Sequence, residues 1–72
     1  MGFETQKEYI IQHMQEFGYI TPMDAMREYG VMRLAARISD LRRDGWPIVR
    51  ETKSAKNRFG KDVHFASYRL AA

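Results

Sequence analysis

The run from Thr21 to Pro47, TPMDAMREYGVMRLAARISDLRRDGWP, constrains this chain more than any other part of it. Thr21-Pro22 is a helix start. Threonine caps free amides, and proline at the first helical position loses nothing by lacking an N–H. Asp24 falls in the first turn, where negative charge suits the helix dipole. Gly30 ends this stretch. Leu34, Ile38 and Leu41 then repeat at helical spacing, and Gly45-Trp46-Pro47 leads out of the second helix. The spacing predicts helices over about 22–29 and 32–44 with almost nothing between them.

The flanks complete the plan. Thr5-Gln6-Lys7-Glu8 has the capping-box pattern, and Tyr9, Ile10, Met14 and Phe17 follow at helical spacing up to Gly18. A first helix is expected over about 5–17, with Tyr19-Ile20 as a short extended link. After Pro47 the pattern changes to alternation. One strand is expected over about 46–52, with Trp46, Ile48 and Arg50 on one face. A second is expected over about 62–70, where His64, Ala66, Tyr68 and Leu70 alternate with Phe65, Ser67 and Arg69. KSAKNRFGK lies between them, with a turn over Asn57 to Gly60. The whole of 1–72 reads as one α+β domain, three helices and then a two-stranded β-hairpin. Met23, Met26 and Met32 are expected mostly in the core, and Phe59 folded back onto the hairpin.

With 72 residues the chain can build only a small core. It has no cysteine, which excludes disulfides, thiolate metal sites and cysteine nucleophiles, and which fits a reducing cytoplasm. No apolar run approaches the roughly 18 residues of a membrane span, and MGFETQKEYI lacks the charge-then-apolar order of a signal peptide. His13 and His64 are far apart and without cysteine partners, so neither a metal site nor a cofactor is expected. Ser39, Ser54 and Ser67 lack a nucleophile context, and no glycine cluster cradles phosphates. No catalytic residue is assigned; the chain does not read as an enzyme.

Charge is unevenly spread. Residues 1–24 hold one lysine against four carboxylates, whereas 25–72 hold eleven basic side chains against five acidic ones. A polyanion on the C-terminal side is one explanation and a solvated basic surface the other. Two short helices joined by a glycine-containing turn form a helix-turn-helix, whose second helix can enter the DNA major groove. On this reading Leu34, Ile38 and Leu41 anchor the helix, while Arg33, Ala36, Arg37 and Asp40 lie largely opposite them and read base edges. Arginine paired with guanine O6 and N7 is the commonest specific contact. Asp40 can accept from cytosine N4, or pair with Arg37, Arg43 or Arg33 in its own helix. Arg42 and Arg43 are candidates for phosphate, although cations suit a helix C-terminus in any protein. Lys53, Lys56, Arg58 and Lys61, in or beside the hairpin loop, are candidates for the DNA backbone or minor groove. The alternative is a solvated turn that discourages edge-to-edge aggregation.

The run ITPMDAMREYGVMRLAARISDLRRDGWPI with the ending SYRL resembles a family of small winged helix-turn-helix domains common in phage and prophage genomes. The segment RLAARISDLR carries the likeness, which covers residues 20–48 and extends more loosely to SYRL. The resemblance implies a three-helix bundle with a two-stranded wing and a DNA-binding role. It also implies that Arg33, Arg37 and Arg42 lie on or beside the recognition helix, with Gly45 at its end. The wing here is longer and more basic than a minimal one. The first expectation is a cytoplasmic double-stranded DNA-binding module, a small transcriptional regulator or a recombination accessory factor. It would act as a monomer or as a homodimer on a palindrome. The rival is an adaptor that turns the same surface toward a host or phage protein. Methionine-rich surfaces adapt to partners, so Met23, Met26 and Met32 would then matter more than the arginines.

Overall fold

The computed structural model describes residues 5–71. Residues 1–4 and Ala72 lie outside the described residues, so the ends of the 1–72 domain reading do too. The order is α1 (Gln6–Phe17), α2 (Pro22–Tyr29), α3 (Leu34–Arg43), β1 (Ile48–Lys56) and β2 (Asp62–Leu70). Three helices followed by an antiparallel hairpin make an α+β winged helix-turn-helix architecture.

Local chemistry sets the helix ends. Thr5 and Thr21 each form a full capping box, with Glu8 and with Asp24. At the end of α2, Gly30 has φ +70° and donates to the Met26 carbonyl, while Val31 N–H reaches back to Ala25. At the end of α3, Gly45 has φ +103° and donates to Arg42, while Trp46 N–H reaches Leu41. Both are closures that need a left-handed residue, which glycine supplies without a Cβ penalty. Helix α3 starts two residues later than its apolar spacing predicts. Arg33 is its N-cap, without a side-chain cap bond, and the 30–33 segment is the turn.

The helices enclose Ile10, Ile11, Met14, Ala25, Val31, Leu34, Ile38 and Leu41, closed from below by Ile20, Ile48 and Tyr68. The Tyr19-Ile20 link is more than a connection. Ile20 exchanges two backbone hydrogen bonds with Tyr68, at 2.8 and 2.9 Å, so the hairpin gains a third short rung of sheet and α2 is fixed to the wing's root. His13 is buried between α1 and α2, where its Nδ1 and the Tyr29 hydroxyl share a 2.7 Å hydrogen bond. Burial, then Glu28, Glu16 and Asp24, push the Tyr29 phenol above its ordinary pKa.

Several sequence expectations need correction. β1 starts at Ile48 and runs on to Lys56, because Lys53 and Ala55 find ladder partners in Phe65 and Val63. Pairing across the hairpin, rather than apolar alternation, holds that outer half. Trp46 and Pro47 lie before the strand. Met23, Met26 and Met32 are exposed, because Ala25 and Val31 fill the positions between α2 and α3. Phe17 is exposed at the end of α1, one side against His13. Phe59 does not fold back; it is 80% exposed.

Candidate nucleic-acid interface

Helix α3 buries Leu34, Ile38 and Leu41, which fixes its rotation. At about 100° per residue, the opposite face belongs to Ala36, Ser39 and Arg43, with Ala35 on one flank. Ala35, Ser39 and Arg43 are indeed exposed, and Ala36 is half-buried. Ala36 and Ser39 leave little bulk on this part of the face. Arg33 stands exposed at the helix start, outside its first turn.

Arg37 lies on the flank, and Asp40 lies between it and the outermost line. Both are half-buried. Arg37 Nη2 meets Asp40 Oδ2 at 3.1 Å, and Arg43 Nη2 meets Asp40 Oδ1 at 3.3 Å. One carboxylate therefore holds two guanidinium groups along the helix. Arg37 Nε is buried without a hydrogen-bond partner among the described residues. Arg42 turns the other way: its Nε donates to the Ile48 carbonyl at 3.2 Å and ties the end of α3 to the start of β1.

The wing separates into a tied root and a free tip. At the root, Glu51 accepts from Arg69 at 3.1 Å and lies 3.7 Å from Lys53. The Arg69 hydrogen bond, aided by the charges of Arg69 and Lys53, holds the Glu51 carboxyl below the ordinary carboxylate range. Further out, Lys56 on β1 pairs with Asp62 on β2 at 2.8 Å. Lys53 and Lys56 are thus strand residues, while Arg58 and Lys61 belong to the turn. Among the described residues, Arg33, Arg42, Arg50, Arg58 and Lys61 have no carboxylate partner.

The profile of the family described as winged helix-turn-helix domain matches residues 5–72. The chain belongs to that family. Membership in the winged helix-turn-helix family suggests DNA as the partner and a non-enzymatic role. No curated protein and no solved structure matches the chain. Among the described residues no helix is long and apolar enough to cross a membrane, and no three His, Cys, Asp or Glu side chains gather as a metal site.

Sequence reasoning missed three features of this winged helix. Ser39 and Arg43 lie on the outward side beside Ala36, and strict 100° spacing from Leu34, Ile38 and Leu41 is the signal that finds them. The Arg42 bond to Ile48 is tertiary and leaves no local signal. The third is an apolar groove of about 700 Å³ between α2 and the wing, lined by Tyr19, Met23, Met26, Met32, Val63 and Phe65 among others.

Proposed function

We propose that this chain is a double-stranded DNA-binding module that lays α3 in the major groove and its wing along the backbone or into the minor groove. Arg33 and Ala36 contact base edges, with Ser39 beside them. Arg37 acts from the flank and Asp40 from beside the outer face, the two held together by their ion pair. Arg43, Lys53, Lys56, Arg58 and Lys61 meet phosphates, and Arg42 meets one only where its bond to Ile48 permits. The observation that carries this reading is the placement of unpaired cations. Arg33 at the start of α3 and Arg58 with Lys61 at the wing tip mark the two elements that a winged helix offers to a duplex. Family membership supports the partner class. The sequence likeness to phage and prophage domains supports a cytoplasmic regulator, or a recombination accessory factor, of that origin.

Fluorescence anisotropy with random-sequence duplex at two salt concentrations tests the proposal. Neutralising about five phosphates gives a log–log slope of roughly −4.5, and the Arg58→Gln/Lys61→Gln pair makes it shallower by about 2. Salt-independent binding, or none at low salt, overturns the reading.

A second reading has its own observation. Met23, Met26 and Met32 are all exposed, at 60%, 45% and 76%, beside the groove against the wing. Flexible thioethers on a surface suit a protein partner. An adaptor of this kind binds through α2 and is indifferent to loss of Arg33, Arg58 and Lys61.

A further inference from the structure

Phe59 is the most exposed large apolar side chain among the described residues, at 80%. Single exposed apolar residues are common on protein surfaces and by themselves mean little. This one is held outward by a built turn. Asn57 Oδ1 accepts from Phe59 N–H at 2.9 Å and from Lys61 N–H at 3.1 Å. Gly60 N–H donates to the Asn57 carbonyl at 3.0 Å, and Asn57 N–H donates to the Lys61 carbonyl at 2.9 Å. The backbone that presents the ring is therefore ordered before any partner arrives, which removes an entropy cost from binding.

The surroundings of the ring specify its partner. The Arg58 guanidinium lies 5.9 Å from the ring centroid, and among the described residues neither Arg58 nor Lys61 has an ion pair. Lys56, whose charge is shared with Asp62, stands just behind them. An aromatic ring on a turn that also carries two cations without carboxylate partners among the described residues fits a polyanion with an apolar interior. Stacked base pairs behind two phosphate backbones have that constitution.

Reach agrees with this. Side chains from Thr52 to Lys56 and from Asp62 to Phe65 are exposed, so the outer wing projects beyond the core. At about 3.3 Å per residue, those five β1 residues span roughly 16 Å. A major groove and the next minor groove along one face of B-DNA are about half a helical turn apart, roughly 17 Å. The molecule's long axis of 43 Å, against 27 and 21 Å across, accommodates both elements on one duplex.

We propose that Phe59 is a wedge that enters the minor groove and partly unstacks a base step, so that the protein bends the DNA it binds. Apolar wedges of this kind open a step and kink the duplex toward the major groove. The proposal rests on the DNA-binding reading above and adds an architectural activity to it. Arg58 and Lys61 hold the phosphates on either side while the ring sits between bases.

The test uses the full chain and short duplexes of mixed sequence, some carrying donor and acceptor dyes at their ends and some carrying 2-aminopurine. The wild-type protein shortens the end-to-end distance, by an amount matching a bend of about 20–90°, and raises 2-aminopurine emission. Phe59→Ala binds within about threefold of wild type, keeps its salt slope, and loses both signals; its exposed position spares the fold. Phe59→Leu, still an apolar wedge, retains much of both. Wild-type binding that leaves the duplex straight, or a Phe59→Ala protein that bends it equally, overturns the wedge and leaves DNA binding standing. If duplex is not bound at all, both readings fall. Phe59-dependent binding to phosphatidylserine vesicles in that case would make the tip a lipid contact.

Discussion

On α3 every arginine has work inside the protein. Arg37 and Arg43 share Asp40, and Arg42 holds the carbonyl of Ile48. At the wing tip, Arg58 and Lys61 hold no carboxylate among the described residues, and the turn beneath them is tied by Asn57. The two regions carry the same sign of charge in similar density. They differ in what that charge costs to use. A cation already paired at about 3 Å gains less from a phosphate, because the old contact must weaken first. The α3 trio of Arg37, Asp40 and Arg43 offers DNA one net positive charge, whereas Arg58 and Lys61 offer two. Basic residues therefore divide into those that shape the reading helix and those that supply attraction, and the division follows the positions of the acids.

The largest test concerns what each region does for the fold. Ile38 is 1% exposed and pins α3 to the core. Ile38→Ala removes buried methylenes and leaves a cavity, a loss of about 2–5 kcal/mol. A domain of this size has little more than that in reserve. Urea denaturation should show a mostly unfolded protein, while Lys61→Gln should stay within about 0.5 kcal/mol of wild type. An Ile38→Ala protein with an unchanged midpoint would mean that the core does not hold α3. The contrast between the regions would then lose its basis.

Asp40→Asn attacks the contrast directly and has a smaller effect. Removing the shared carboxylate frees Arg37 and Arg43. Pairs this exposed contribute about 0.2–1 kcal/mol, so the fold survives. DNA binding at low salt should tighten, and the log–log salt slope should steepen by about one. Weaker binding would indicate that Asp40 serves by orienting Arg37, and that the tied arginines are worth more than free ones.

The fold class could be read from the chain because its signals are local. The capping residues Thr5 and Thr21, the stops at Gly30 and Gly45, and the Leu34–Ile38–Leu41 stripe each depend on neighbours within a turn or two. What could not be read depends on partners far away in sequence. The bridge between Ile20 and Tyr68, the burial of Ala25 and Val31 that leaves three methionines outside, and the bond from Arg42 to Ile48 are of this kind. The outer half of β1 was hidden for a related reason. Thr52 to Lys56 has no apolar alternation, and only its partners on β2 make it a strand. On α3, the spacing of the core stripe was legible in the sequence, and it leaves Ala36, Ser39 and Arg43 outermost with Arg37 on the flank.

The smallest effect separates the wing's root from its tip by pH. Glu51 is half-buried at the wing's root, and the Arg69 hydrogen bond keeps its carboxyl below the ordinary range. A carboxyl with a lowered folded pKa adds stability above its unfolded pKa, and that contribution disappears as pH falls through the folded value. The root should therefore weaken only in acid, below the ordinary carboxylate range, where protonated Glu51 releases Arg69 and Lys53. Melting temperatures taken from about pH 6 down to about pH 2 should show a shallower acid decline for Glu51→Gln than for wild type. Arg58→Gln should follow the wild-type curve, since that side chain has no carboxylate to lose. Parallel curves for Glu51→Gln and wild type would show that the ion pairs at the root contribute nothing measurable. Root and tip would then differ only in geometry, and α3 alone would remain as the region where internal acids restrain the arginines.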